Sequence, residues 1–157
     1  MKSIIQFLIL FALLSENIAC AETLKPFGMA SRASIEQAHK GQAIILSFCS
    51  IDCAYCLDEL SDLAKVVAKH PKIQWVLVNV DGLNSSQEII KVLKKIPTEN
   101  AELWQFAEPD EERLRFNVDK SWYGELPRTY FYDTQHQVKV FSGSPDAAWL
   151  KAWAAKY

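Results

Sequence analysis

The sequence predicts a single α/β domain in which helices flank a central mixed β-sheet. Its 157 residues, half of them hydrophobic, are enough for one domain with a substantial core. Strand and helix patterns alternate through the first half of the chain, as they do where helices connect parallel strands. A hairpin pattern near the C-terminus then adds two antiparallel strands, which makes the predicted sheet mixed.

The elements of the first half are predicted from hydrophobic periodicity and from residues that end helices. Apolar residues recur every three or four positions from Cys56 until His70-Pro71 ends the helix. The run 73–80 is almost continuously apolar, as expected of a central parallel strand covered on both faces. In order, we predict a brief helix, a strand, an amphipathic helix and a buried strand over 34–39, 43–48, 56–70 and 73–80.

The second half is predicted from capping residues and turn chemistry. Ser85 with Glu88 has the capping-box spacing that starts a helix. Ser144 is the predicted N-cap of the terminal helix, because a proline and an acidic residue follow it. In order, we predict a helix, a short strand, a helix, two hairpin strands and the terminal helix over 85–93, 103–106, 109–116, 128–132, 137–141 and 144–157.

The motif Cys53-Ala54-Tyr55-Cys56 lies between a predicted strand and the amphipathic helix that follows it. Two thiols separated by two residues at the first turn of a helix are close enough to form a disulfide. Unpaired backbone N–H groups and the helix dipole favour the thiolate of Cys53, which is the form that attacks a disulfide. Cys56 then resolves the mixed disulfide. The motif therefore predicts a redox-active pair.

The N-terminus has the layout of a secretory signal peptide. One positive charge precedes a mostly apolar run over 4–14, which is short for a membrane-spanning helix. The small residues around Cys20 fit signal peptidase cleavage, so we predict a signal peptide over 1–21 and a domain over 22–157. In the alternative, a lipoprotein signal ends before Cys20 and the chain is lipid-anchored through that cysteine. Either route exports the protein, and we expect a bacterial periplasm.

The cysteine pair at a strand-to-helix junction, followed by a proline that leads into a hairpin and a terminal helix, resembles the thioredoxin fold over roughly residues 40–157. The segment 53–60, CAYCLDEL, is similar to the motif of the TlpA-like periplasmic thiol-disulfide oxidoreductases. The segment 126–133, LPRTYFYD, is similar to their Pro-x-Thr strand. The resemblance implies a thioredoxin-like fold and disulfide exchange with protein substrates, and it requires no bound cofactor.

The same resemblance implies a substrate-binding edge at Leu126 and Pro127. In that family the proline is cis and lies against the disulfide, and the residue before it offers backbone hydrogen bonds to an extended substrate segment. Only X-Pro bonds adopt cis at modest cost, which agrees with that role. The alternative is an ordinary trans proline at the start of a strand.

The chain departs from that family at positions that tune the chemistry. Asp52 replaces the usual tryptophan before the first cysteine, and its charge is expected to oppose the Cys53 thiolate and raise the pKa of Cys53. Ser47 stands where a buried acid or amide is usual, so proton transfer must use water or another carboxylate such as Glu59. A destabilised thiolate makes the disulfide less oxidising, which favours a reducing role.

Two other functions remain open from the sequence. The spacing of Cys49 and Cys53 matches the CxxxC of Sco-type copper carriers, so Cys49, Cys53 and Cys56 are the alternative ligands of a copper metallochaperone. Alignment through the Glu-Leu after Cys56 argues against that pairing, because it leaves Cys49 outside the expected pair. In the third hypothesis the Cys53–Cys56 bridge is structural, although so small a loop gains little stability from a cross-link.

Several aromatic residues and histidines are assigned by their position. Tyr55, between the cysteines, either offers its ring to bound substrate or is a half-exposed aromatic at the helix start. Trp122 and Tyr123 are better candidates for lining a substrate groove. Trp149 and Trp153 lie four residues apart on the last helix and are predicted to pack in the core. The three histidines are expected to be solvated, and none is predicted to bind metal.

Charge and motif together restrict the partners. A net charge of −2 without a basic cluster argues against nucleic acid. The expected partners are protein thiols or disulfides in the periplasm and a membrane redox partner that resets the cysteine pair.

Overall fold

The computed structural model describes residues 24–157, so the predicted signal peptide over 1–21 and Cys20 lie outside the described residues. The strands are β1 Lys25–Phe27, β2 Ala43–Cys49, β3 Ile73–Asn79, β4 Ala101–Phe106, β5 Arg128–Tyr132 and β6 Val138–Ser142. The helices are α1 Ser31–Ala38, α2 Ala54–Val67, α3 Ser86–Leu93, α4 Glu111–Val118 and α5 Ala147–Ala154. None of these helices combines the length and apolar character that crossing a bilayer requires.

The six strands form one mixed sheet in the order β1-β4-β3-β2-β5-β6, which confirms the predicted fold class. Strands β1 to β4 run parallel to one another, β5 pairs antiparallel with β2, and β6 pairs antiparallel with β5. The carboxyl ends of β2, β3 and β4 therefore lie at the same edge as the amino end of β5. This edge brings together the cysteine motif, the loop after β3 and the Leu126–Pro127 segment.

The sheet is buried on both faces, which explains the continuously apolar strands. All seven residues of β2 are buried, and they alternate between two hydrophobic cores. One core lies under α2, α3 and α5, and the other lies under α1 and α4. Trp153 is buried in the first core, where Trp149 packs against Phe131 with ring centroids 5.0 Å apart. These two tryptophans pack as predicted.

Local details of the element ends differ from the predictions. Strand β1 was not predicted. It has only three residues, which is too short to show hydrophobic periodicity, and it is defined by its pairing with β4. Helix α2 begins at Ala54, ahead of the predicted start at Cys56. The predicted capping box is wrong, since the Ser85 side chain makes no cap hydrogen bond. Helix α5 is capped by Asp146 rather than by Ser144.

Candidate active site

Cys53 and Cys56 form a disulfide at the start of α2, with their Cα atoms 5.2 Å apart. Cys53 is the N-cap of the helix, and the backbone N–H of Cys56 donates to its sulfur over 3.2 Å. Cys53 is partly exposed, whereas Cys56 is completely buried. An incoming sulfur can therefore reach only Cys53, and a helix N–H stabilises negative charge on that sulfur once the bond is broken.

The carboxyl group of Glu59 lies one helical turn after Cys56, on the same side of α2. Only 3% of Glu59 is exposed. The Thr129 hydroxyl donates to its Oε1 over 3.1 Å, and its Oε2 has no hydrogen-bond partner within residues 24–157. Burial raises the pKa of Glu59 to about 7, although the hydrogen bond from Thr129 opposes the rise. Such a carboxyl group exchanges protons near neutral pH.

A small cavity adjoins Glu59 beside α2. Its volume is about 200 Å³, and it lies between the last turns of α2 and the start of α5. Its walls include Val66, Pro145 and Leu150. The buried carboxyl group is thus close to a space large enough for water molecules.

The peptide bond between Leu126 and Pro127 is cis. Pro127 is buried and its carbonyl accepts from the N–H of Gly143 over 2.8 Å. Leu126 is half-buried and packs against both cores, but its backbone N–H and C=O have no hydrogen-bond partner within residues 24–157. Free backbone groups at the end of a strand can pair with an extended segment of another chain.

A mostly buried ion pair between Asp119 and Arg128 anchors the loop that leads to Pro127. The guanidinium donates to the Asp119 carboxylate over 2.7 Å, and the Tyr130 hydroxyl donates to the same oxygen over 3.0 Å. Ser121 donates to the other oxygen through its N–H and its hydroxyl. Burial alone would raise the pKa of Asp119, but these hydrogen bonds outweigh it and hold that pKa below its ordinary range.

An acidic residue that the sequence analysis missed, Asp81, contacts the segment before Cys53. Its carboxylate accepts from the Ser50 hydroxyl over 2.7 Å and from the Ile51 N–H over 2.9 Å. The sequence could have indicated Asp81 as a site residue, because it follows β3 closely. Strands β2 and β3 are parallel neighbours, and the carboxyl ends of such strands lie at one edge of the sheet.

The predicted surface residues divide into exposed and buried groups. Asp52 is exposed, and Tyr123 is 88% exposed. Tyr55 is 77% exposed, which is more than the half-exposed position considered as the alternative to a substrate-binding role. The assignment of Trp122 to a groove is wrong. Its ring is 4% exposed and packs on Phe48 with centroids 4.9 Å apart, so it supports the loop from below.

The predicted solvation of the histidines is wrong for His39. Its Nε2 lies 2.8 Å from the Glu102 carboxylate, and 15% of its side chain is exposed. His136 adopts a positive φ of 60° in the hairpin turn, and its Nε2 lies 3.2 Å from the carbonyl of His39. Both imidazoles therefore contribute to contacts between the hairpin, α1 and β4, and neither lies beside the cysteines.

Cys49, the third cysteine of the described chain, is buried and makes no disulfide. Burial raises the pKa of its thiol, and the charges of Asp81 and Glu59 raise it further. Across residues 24–157 no three or more histidine, cysteine or acidic side chains are arranged to hold a metal ion. Cys49 is therefore an inert core thiol in this state.

No protein-family model matches this sequence, and no curated protein matches it either. The fold, in contrast, is similar to many solved structures. A secreted Mycobacterium tuberculosis disulfide oxidoreductase homologous to E. coli DsbE is 16% identical, with 77% of this chain and 86% of that chain covered and a TM-score of 0.61.

Two further structures show the same likeness. A thioredoxin-family thiol:disulfide interchange protein from Chlorobium tepidum TLS is 19% identical, with 77% of this chain and 83% of that chain covered and a TM-score of 0.59. A DsbF homologue from Corynebacterium diphtheriae is 19% identical, with 78% and 76% covered and a TM-score of 0.60. At this level of identity the likeness establishes the fold: the chain adopts the thioredoxin fold, with its cysteine pair at the start of α2.

Proposed function

We propose that this chain is an exported thiol-disulfide oxidoreductase that exchanges disulfides with protein substrates and acts as a reductant. The observation that carries the proposal is the asymmetric pair at the start of α2: Cys53 is partly exposed and capped by a helix N–H, and Cys56 is buried behind it. Structurally similar proteins described as disulfide oxidoreductases support it. A bridge across only two residues is a poor stabiliser, which argues against a purely structural disulfide.

In the proposed reaction the reduced protein donates two electrons to a partner disulfide. The Cys53 thiolate attacks one sulfur of the partner, which forms a mixed disulfide and releases the other partner sulfur as a thiolate. Cys56 then loses its proton and attacks the Cys53 sulfur. This second step forms the Cys53–Cys56 disulfide and releases the second partner thiolate.

Glu59 is the proposed acceptor of the Cys56 proton. It is the buried carboxyl group nearest along the helix, and its pKa of about 7 leaves a large fraction ionised at neutral pH. In the reverse direction the same group returns the proton. Ser47 cannot take this role, because a neutral hydroxyl is too weak a base to accept the proton. Its oxygen instead accepts a hydrogen bond from the Trp75 indole over 3.0 Å in the buried sheet.

Leu126 and Pro127 form the proposed docking edge for the partner chain. In this proposal the backbone groups of Leu126, which are unpaired within residues 24–157, hydrogen-bond an extended substrate segment. Tyr55 and Tyr123 add exposed aromatic area on which substrate side chains can pack. The partners are protein thiols or disulfides of the periplasm, and a membrane redox partner resets the pair.

Trapping with Cys56→Ala tests the reaction. The remaining Cys53 is expected to accumulate mixed disulfides with insulin, which non-reducing electrophoresis and mass spectrometry detect. The same trap in a Cys49→Ala background is the control, and it should capture equally well because Cys49 is buried. Loss of stability without capture would instead identify a structural bridge.

The direction of electron flow is tested by the equilibrium with glutathione. A potential near about −270 mV supports the reductant, whereas one near about −120 mV identifies an oxidant. Export is tested separately by the mass of the mature protein recovered from the periplasm, which distinguishes cleavage after residue 21 from lipidation of Cys20.

A further inference from the structure

The segment Ser50–Asp52, which leads into Cys53, depends on one carboxylate. Asp81 uses both oxygens, one for the Ser50 hydroxyl at 2.7 Å and one for the Ile51 N–H at 2.9 Å. The Ser50 hydroxyl also accepts from the N–H of Asp52 at 3.1 Å, and the Ser50 carbonyl accepts from the N–H of Cys53 at 3.2 Å. Ser50 is therefore hydrogen-bonded to Asp81 through its hydroxyl, and through its carbonyl it is hydrogen-bonded to the backbone of Cys53, the nucleophile.

Asp81 is itself fixed by buried residues of two neighbouring strands. Its N–H donates to the side-chain carbonyl of Asn79 over 2.8 Å, and Asn79 is completely buried in β3. Gln105 of β4, 2% exposed, donates to the carbonyls of Asp81 and Gly82 over 3.1 and 2.7 Å. The Ser86 hydroxyl donates to the other atom of the Gln105 amide over 2.7 Å. Hydrogen bonds of Asp81 thus link the central strands β3 and β4 to the loop that precedes Cys53.

We propose that Asp81 is a positioning residue for thiol-disulfide exchange, holding the Ser50–Asp52 segment so that the Cys53 sulfur stays aligned with Cys56 and with the docking edge. This inference rests on the proposed function. A carboxylate suits the position because it accepts two hydrogen bonds, one on each oxygen, while an amide offers only one acceptor oxygen. Fixing the loop lowers its conformational freedom in both redox states, which raises the effective concentration of one thiol at the other.

Cys49, the remaining cysteine of residues 24–157, is buried next to this segment. Cys49 ends β2 immediately before Ser50, and its carbonyl accepts from the N–H of Val80 over 2.8 Å, so it lies beside the loop that carries Asp81. Burial first, and then the negative charge of Asp81, hold the Cys49 thiol in its protonated form. A protonated thiol does not attack the neighbouring disulfide.

The test compares Asp81→Ala, Asp81→Asn and Ser50→Ala with the wild-type full-length chain. The measured quantity is the equilibrium constant for forming the Cys53–Cys56 disulfide with glutathione. We expect a decrease of about tenfold for Asp81→Ala, equivalent to about 30 mV, and a smaller decrease for Asp81→Asn. Ser50→Ala keeps the charge and removes two hydrogen bonds, the one donated to Asp81 and the one accepted from the N–H of Asp52. A decrease of about threefold in this variant therefore assigns the effect to positioning. The exposed acid Asp58, changed to Asn, is the matched control and should leave the constant unaltered.

Circular dichroism of each variant confirms folding before the comparison. If Asp81→Ala does not fold, Ser50→Ala and Asp81→Asn carry the test, because each is a smaller change to the side chain. An unaltered constant in folded Ser50→Ala and Asp81→Asn, beside an active wild-type protein, overturns this inference and leaves the proposed function intact. A wild-type disulfide that glutathione and dithiothreitol cannot reduce overturns both.

Discussion

The hydroxyl of Thr129 donates a hydrogen bond of 3.1 Å to the carboxyl group of Glu59, and both side chains are buried. Thr129 lies two residues after the cis proline and Glu59 three residues after Cys56, so this contact joins the proposed docking edge to the cysteine helix. The register of β2 and β5, which pairs Ser47 with Thr129, places the hydroxyl at that point. A change in the charge of Glu59 therefore acts on both parts of the site.

Glu59 should make the folded protein less stable as the pH rises. Its pKa is about 7 in the folded state, against an ordinary value of 4.5, so the folded chain binds the proton more tightly than the unfolded chain. Its contribution is fully present below about pH 4.5 and is lost as the pH rises through about 7, a difference of about 3 kcal/mol. Urea unfolding between pH 4.5 and 8 should show this decline in the wild-type protein and a flatter profile in Glu59→Gln.

Two further variants test whether this pH dependence of stability arises from Glu59. Thr129→Val removes the hydrogen bond that opposes the rise in the pKa of Glu59, so the decline should shift to higher pH. Asp58→Asn, an exposed change on the same helix, should retain the wild-type profile. Parallel profiles for wild-type and Glu59→Gln would show that Glu59 does not titrate in this range.

Breaking the ion pair of Asp119 and Arg128 should destabilise the protein strongly. Only 20% and 10% of the two side chains are exposed, so Asp119→Ala leaves a largely buried guanidinium without its carboxylate. We expect a loss of about 3 kcal/mol in the free energy of unfolding, measured with urea at pH 7. Because the pKa of Asp119 is lowered, its contribution is present above its unfolded pKa and is lost as the pH falls through its folded pKa.

The pair of Lys65 and Asp62 provides the control for that measurement. Its side chains are 70% and 64% exposed, and Asp62→Ala should change the free energy of unfolding by less than about 1 kcal/mol. Equal effects of the two alanine substitutions would contradict the assignment of Asp119 as the anchor of the loop.

Removing the exposed ring of Tyr55 should weaken substrate binding without affecting folding. The side chain is 77% exposed, so Tyr55→Ala should change stability by no more than about 0.5 kcal/mol. If the ring packs on substrate, KM for insulin reduction should rise about threefold to tenfold while kcat changes less. Val138→Ala, a partly exposed residue on β6, is the control. An unaltered KM would identify Tyr55 as a surface aromatic without a binding role.

Neutralising Asp52 should make Cys53 more reactive at low pH. Asp52 is exposed and directly precedes the nucleophile, so its charge repels the thiolate through solvent. In reduced Asp52→Asn, Cys53 should be alkylated faster than in the wild-type protein at the same low pH and low ionic strength. The difference in rate should shrink at high salt, and equal alkylation rates would remove Asp52 from the tuning residues.

The sequence by itself determined the elements whose patterns are local. The apolar runs of β2 and β3, the three- and four-residue spacing along α2, and the turn residues between β5 and β6 predicted these elements to within three residues at each end. The position of Cys53 and Cys56 at a strand-to-helix junction was likewise readable, because a helix start and a two-residue spacing are properties of neighbouring residues.

Only the tertiary structure decided the contacts between residues distant in the chain. Glu59 is buried because β5 supplies Thr129 from 70 positions away, and Asp81 reaches Ser50 across 31 positions. Trp122 and His39, both expected at the surface, are covered by Phe48 and Glu102 respectively. No local periodicity encodes such pairings, since they depend on strand order and register, and it is these pairings that set the charge and the geometry around the cysteine pair.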